Sequence, residues 1–251
     1  MLKALIFDVD GTLADTERDG HRVAFNRAFA TDGLAIVWDE ALYGELLAVT
    51  GGKERLLHFF LHVRPDLRPT GDLDAVILRL HKRKTEIYGE IMARGELPLR
   101  PGVRRFLSEA RAQGLLLAIA TTTTEENLIP IWDALGPDAR SWFQCVAAGD
   151  CVAAKKPAPD VYEYALACLN LTAHECLAFE DSENGFRAAR AAGLATIITV
   201  TDYTRTQNFE GALLVVDHLG EPDRPLTWLA GVPFSGRFLD VSAAAALFEK
   251  P

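Results

Sequence analysis

Apolar residues recur along this chain with two different rhythms, and the change of rhythm divides it. Leu2, Ala4, Leu5, Ile6 and Phe7 form a short apolar run that ends in Asp8, Val9, Asp10, Gly11 and Thr12, the pattern of a strand leading into a turn. From residue 15 to 95 the spacing turns helical. Val23, Phe25, Ala28 and Phe29 make one stripe, Leu42, Leu46 and Leu47 a second, and Leu56, Leu57, Phe60 and Leu61 a third. A fourth helix is expected over 72–93, a loop over 64–71 at Pro65, Pro69 and Gly71, and a return linker over 94–101 at Gly95, Pro98 and Pro101.

After Pro101 helices and strands alternate. Helices are predicted over 103–113, 125–135, 159–169 and 182–192, with Gly114 and Gly193 closing the first and last. Pro130 either kinks the second or marks its start. Short, continuously apolar strands are predicted over 115–120, 145–148, 176–179, 195–200 and, at the sheet's edge, 213–216. Such alternation predicts an α/β fold with a right-handed, doubly wound parallel sheet of about six strands. Residues 1–14 and 98–251 are therefore read as one α/β core, and residues 15–97 as a helical domain inserted into it. The Ala-rich tail over 231–251 is open between a docking helix, an oligomer contact and a frayed end.

Composition limits the partners. The 251 residues are 49% hydrophobic and 24% charged, an ordinary soluble balance, and no apolar run is long enough for a bilayer crossing. A formal net charge of -9 argues against nucleic acid or an anionic membrane surface, either of which needs a basic stripe. A small phosphate-bearing substrate needs only local cations. Cys145, Cys151, Cys168 and Cys176 show neither C-x-x-C nor zinc-like pairing with His, and are read as reduced thiols. A first strand starting at residue 2 leaves no room for a signal peptide. A cytoplasmic location is expected, or an organelle matrix if a transit peptide has been removed, and the chain is expected to be a monomer.

Polar residues gather behind four of the predicted strands. Asp8, Asp10 and Thr12 follow the first, and Thr121, Thr122, Thr123 and Thr124 follow 115–120. Gly149, Asp150, Lys155 and Lys156 follow 145–148, and Glu180 and Asp181 follow 176–179. In a parallel sheet these ends share one edge, where open α/β folds bind ligands. Neighbouring carboxylates there can hold a divalent cation, or divide into a nucleophile and a proton carrier, because each drives the other's pKa away. Phosphoryl transfer needs this inventory: an oxygen nucleophile, a hard cation such as Mg2+, hydroxyl donors and a lysine. Spacing alone leaves Lys155 and Lys156 as rivals. It also leaves Asp10 and the hydroxyls of Thr122, Thr123 and Thr124 open to a plainer role as helix caps.

The insert carries two further candidates. Thr16 and Glu17, followed by His21 and Arg22, can lean over Asp10. Gly51, Gly52, Lys53 and Arg55 combine exposed amides at a helix start with two cations, which suits a second anion; the plainer alternative is a turn with surface charges.

These loops resemble the four sequence motifs of the haloacid dehalogenase-like superfamily of phosphotransferases, in order and over nearly the whole chain. They are D-V-D-G-T from Asp8 to Thr12, the apolar run ending in Thr121, Lys156 before Pro157, and the pair Glu180 and Asp181. The resemblance implies that Asp8 is a nucleophile forming an aspartyl-phosphate and that Asp10 is the general acid and base. It implies that Thr121 binds the transferring phosphoryl group and that Lys156 stabilises its charge. It also implies Mg2+ on Asp8, the backbone carbonyl of Asp10, and Asp181, with Glu180 assisting.

The helical insert resembles the small four-helix cap that closes over substrates in many members. T-G-G-K-E-R from Thr50, together with Thr16, Glu17 and the threonines after the second motif, resembles the CbbY-type sugar-bisphosphate phosphatases, which act on xylulose 1,5-bisphosphate. That likeness implies a phosphorylated sugar bound by Glu17, His21, Gly51, Gly52, Lys53, Arg55 and Thr122. Asp19 and Gly20, between Glu17 and His21, leave the register of the first cap helix open. Alternatives are a phosphosugar mutase similar to β-phosphoglucomutase, a phosphoglycolate phosphatase, and a non-catalytic binding module. Intact Asp8, Asp10, Lys156 and Asp181 argue against the last.

Overall fold

Alternate residues of a strand face opposite sides of its sheet, and here the two sides differ in bulk. The computed structural model describes residues 1–94 and 99–249. Its strands are β1 (Ala4–Phe7), β2 (Leu116–Ala120), β3 (Phe143–Ala147), β4 (Cys176–Glu180), β5 (Ala195–Thr199), β6 (Leu214–Val216) and β7 (Trp228–Gly231). They form one sheet in the order β3-β2-β1-β4-β5-β6-β7, parallel throughout except where β7 joins β6. Leu5, Phe7, Leu117, Ile119, Leu177 and Phe179 fill one side, with the Phe7 and Phe179 rings stacked at 4.6 Å. Ala4, Ile6, Ala118, Ala120 and Ala178 fill the other, where small residues let Ala-bearing helices approach closely.

The helices are α1 (Arg22–Thr31), α2 (Glu40–Leu46), α3 (Gly52–His58), α4 (Leu73–Ala93), α5 (Val103–Ala112), α6 (Ile129–Leu135), α7 (Asp160–Leu169), α8 (Glu183–Ala191) and α9 (Val241–Phe248). Helices α1 to α4 follow β1 and build an apolar cluster of their own, with Trp38 between Phe25 at 4.8 Å, Phe29 at 4.9 Å and Phe59 at 5.3 Å. The separation from the sheet is incomplete. Ala24 and Ala28 of α1, and Ile87, Tyr88 and Ile91 of α4, belong to the sheet's own core. The outgoing and returning chains meet where Ala14 bridges Leu99 and the Arg100 N–H donates to Leu13 O at 2.9 Å. The boundary expected at 97 and 98, and half of the return linker, lie outside the described residues.

Several sequence expectations shift. The third stripe buries Leu56 and Phe60 but leaves Leu57 and Leu61 37% and 38% exposed; Phe59 packs inward instead, because a π-helical turn over Phe59–Val63 alters the period. Helix α6 begins at Ile129 with Pro130 in its first turn, where a missing N–H costs nothing, and a 3-10 turn over Glu125–Leu128 precedes it. Neither turn has a side-chain cap, so the threonine hydroxyls do not cap this helix. Strand β6 is internal, because β7 pairs outside it. β7 carries no alternation: all but Leu229 of its residues are exposed. The tail resolves as a docking helix, α9, whose Val241, Ala244 and Leu247 enter the core and whose N-cap Asp240 accepts from the Ala243 N–H at 2.7 Å. The four cysteines are free thiols. Among the described residues no helix is long and apolar enough to cross a membrane.

Candidate active site

Phe7 pairs with Ile119 on one side and Phe179 on the other, so β1, β2 and β4 end at one level. Asp8 leaves β1 there, its N–H donating to Phe179 O at 3.0 Å. Glu180, the last residue of β4, is completely buried, and Asp181 follows it. The loop after β3 brings back Lys156, whose Nζ donates to Asp8 Oδ1 at 2.7 Å and to Glu180 Oε1 at 2.6 Å. Lys155 points elsewhere, to Gly149 O and to Asp150 Oδ1, so that of the two rival lysines it is Lys156 that meets Asp8. Thr121 is buried at the end of β2, where its Oγ1 accepts from the Thr123 N–H at 3.2 Å, and Thr122 lines the cavity beside it.

Oxygens of Asp8, Glu180 and Asp181 lie within 4.8 Å of one another. Burial pushes the Asp8 carboxyl up to about 8; Lys156 opposes this, while Glu180 and Asp10 add repulsion. Burial likewise raises Asp181, with Asp8 and Glu180 reinforcing it. Lys156, together with the charge of Arg100 on Asp181, does not balance the three carboxylates in this poorly solvated site, and hard oxygen donors at this spacing suit Mg2+. Gly11, at φ +88°, makes the turn after Asp10 and lies so close to the Asp181 carboxylate that a Cβ there would overlap it. Glu180 is otherwise engaged: Oε1 also accepts from the Tyr162 hydroxyl at 2.6 Å, and Oε2 from the Asp181 N–H at 3.2 Å. Asp10 contributes no side-chain oxygen to this cluster.

Asp10 turns toward the helical insert. Its Oδ1 accepts from the Thr16 hydroxyl at 2.5 Å and lies 2.8 Å from His21 Nε2. Burial alone would raise its pKa, but the charge of His21, hydrogen bonds from His21 and Thr16, and the nearby Lys84 together hold it well below the usual carboxylate range. His21 stacks on Tyr88 at 4.1 Å, and its Nδ1 is 2.8 Å from Lys84 Nζ. Burial lowers Lys84 to about 8, with Asp10 and Glu17 pulling the other way. Sequence reasoning missed Lys84. The available signal was a lysine at the middle of the buried Leu80, Lys84, Tyr88 stripe of α4, where a charge has no structural reason to sit.

The rest of the roof is built from paired side chains. Glu17 Oε2 accepts from the Tyr43 hydroxyl at 2.5 Å, and Tyr43 in turn accepts from Arg55 Nη1 at 3.0 Å. Arg55 is buried, its Nε shared between Leu46 O and Val49 O, and it lines the cavity with Gly51, Gly52, Lys84 and His81. Lys53 departs from the expected anion clamp. Its ammonium pairs with Asp150 at 2.5 Å across the gap to the loop after β3. Asn184, at the start of α8, makes a second crossing by donating to Ala48 O at 2.9 Å and Thr50 Oγ1 at 3.2 Å. A further wall was not foreseen: Thr201, Thr204 and Gln207 of the loop after β5 line the cavity next to Asp181.

The chain matches the model of the family described as haloacid dehalogenase-like hydrolase over residues 2–193. It is 51% identical over 226 residues to the protein CbbY, plasmid, of Cupriavidus necator, an alignment covering 90% of this chain and 89% of that one. The crystal structure of CbbY from Rhodobacter sphaeroides in complex with phosphate superposes with a TM-score of 0.80 at 45% identity, covering 87% of this chain and 95% of that one. A mutant of that protein in complex with xylulose-(1,5)bisphosphate gives a TM-score of 0.79 at 44% identity with the same coverage.

Proposed function

Because this chain belongs to the haloacid dehalogenase-like hydrolase family, we propose that it is a Mg2+-dependent phosphatase that hydrolyses a phosphorylated sugar, namely xylulose 1,5-bisphosphate to xylulose 5-phosphate. One observation carries this reading: Asp8, Lys156, Glu180 and Asp181 form a buried charged cluster under a roof that adds further cations. The relative bound to xylulose-(1,5)bisphosphate supports the choice of sugar.

In this mechanism an Asp8 carboxylate oxygen attacks phosphorus, the bond to the sugar oxygen breaks, and the leaving oxygen takes a proton by way of Asp10. Asp10, held ionised by its neighbours, has His21 Nε2 within hydrogen-bond reach as the source of that proton. In the second half-reaction Asp10 takes a proton from water, whose oxygen attacks phosphorus and frees Asp8. Lys156 and Thr121 hold the transferring group and offset its charge. Mg2+, held by Asp8, Asp181 and the Asp10 carbonyl, would neutralise charge and favour the ionised Asp8. Residues 15–97 serve as the cap, where Arg55, Lys84 and the amides of Gly51 and Gly52 receive the second phosphate, and Glu17, His21 and Thr122 the sugar hydroxyls.

The test is phosphate release from xylulose 1,5-bisphosphate. Asp8→Asn is expected to abolish it with an unchanged melting temperature, and EDTA to abolish it until Mg2+ is restored. Turnover by Asp8→Asn at the wild-type rate removes the nucleophile assignment. An isomerised phosphosugar without free phosphate would make the protein a mutase.

A further inference from the structure

Tyr162 lies on α7, completely buried, and no charged partner is obvious from its place in the sequence. Its hydroxyl donates to Glu180 Oε1 at 2.6 Å, the same oxygen that accepts from Lys156 Nζ at 2.6 Å. The Lys156 ammonium also stands 5.1 Å from the centroid of the Tyr162 ring, close enough for a cation–π contact. Lys156 completes the row by donating to Asp8 Oδ1 at 2.7 Å.

Glu180 has little freedom to adjust. Its carboxyl presses against the backbone of α8 at Gly185, where any Cβ would overlap it, and its second oxygen accepts from the Asp181 N–H. The position of the ammonium between Glu180 and Asp8 therefore depends on how strongly Glu180 Oε1 attracts it. A second donor on that oxygen takes up part of its negative charge and weakens its hold on the lysine.

We propose that Tyr162 is a positioning residue that, through Glu180, sets the Lys156 ammonium toward the phosphoryl group on Asp8. The hydroxyl and the ring act together: one shares the carboxylate oxygen, the other supports the ammonium from below. This rests on the role given to Lys156 under the proposed function.

Tyr162→Phe keeps the ring and removes one oxygen. Glu180 Oε1 is then left to Lys156, which is drawn back from the reacting phosphorus. The expected result with xylulose 1,5-bisphosphate is a fall in kcat of about tenfold, the scale of one hydrogen bond to a charged group, with KM within about twofold. In a Lys156→Met background, assayed at high enzyme concentration, adding Tyr162→Phe should cost no further rate, because the tyrosine acts only through the ammonium. Val161→Ala, which loosens the buried neighbour on the same helix without touching a polar group, should melt earlier yet keep the wild-type kcat.

A wild-type kcat in Tyr162→Phe overturns the inference. So does an equal fractional loss in the Lys156→Met background, a matching loss in Val161→Ala, or the disappearance of a cooperative melt in Tyr162→Phe, which would give the hydroxyl to the fold instead. A wild-type kcat in Lys156→Met itself would sink the parent reading. A strongly impaired Lys156→Met beside a normal Tyr162→Phe would sink only this one.

Discussion

His81 and Lys84 stand one turn apart on α4, and both line the space under the roof. Burial depresses His81 to about 4, with the charges of Lys84 and Lys53 adding to the effect. An unfolded histidine takes up a proton near 6.5, which the folded protein refuses until about 4, so His81 contributes stability above 6.5 that is lost as pH falls across that window. The loss is at most about 3 kcal/mol. Thermal melts at pH 7 and pH 4.5 should therefore differ less for His81→Gln than for the wild type; identical differences would clear His81 of any part in acid sensitivity. At this scale the sequence placed Asp8, Asp10, Lys156 and Asp181 at one sheet edge, and the structure brings Asp8, Lys156 and Asp181 together there, because a strand end specifies where the next side chain emerges. It missed Lys84, whose one trace is a charge within the apolar stripe of α4, and Tyr162, whose partners lie on other elements.

Between elements, two polar contacts cross from the chain around α3 to loops at the edge of the sheet. Lys53, beside Gly52 at the start of α3, meets Asp150, which also accepts from Lys155 at 2.7 Å, and Asn184 reaches back to Thr50. Lys53 and Asp150 are both partly solvated, so the pair is worth about 0.2–1 kcal/mol. Lys53→Ala should then raise KM by no more than about fivefold, equally for mono- and bisphosphate substrates, since it loosens closure without touching the ligand. A rise confined to bisphosphates would return Lys53 to the anion clamp. The helices of the insert were legible from periodicity alone, and α4 was bounded within one residue of the observed Leu73–Ala93. β7 was not legible, because a strand with three of its four residues exposed has no apolar alternation to read.

Across the whole molecule, the charged cluster and the docked tail occupy opposite edges of the sheet. α9 sits by Leu2, Leu115 and Leu116, where the strands begin, while the charged cluster lies where they end. Leu247→Ala should lower the unfolding free energy by about 2–5 kcal/mol in a denaturant titration and leave kcat unchanged. A loss of kcat without a loss of stability would mean that the two edges are coupled. Apolar spacing along the chain determined the α/β class, the run of helices after the first strand and the four loops whose polar residues gather at one sheet edge. Those features follow from which faces must leave water, a property each short segment carries by itself. Only the folded arrangement decided that Lys156 and not Lys155 meets Asp8, that Glu180 serves the lysine, that Lys53 binds Asp150, and that Lys84 completes the row behind Asp10. Hydrogen bonds and charges act over a few ångströms, and residues that close come together only after distant segments have packed.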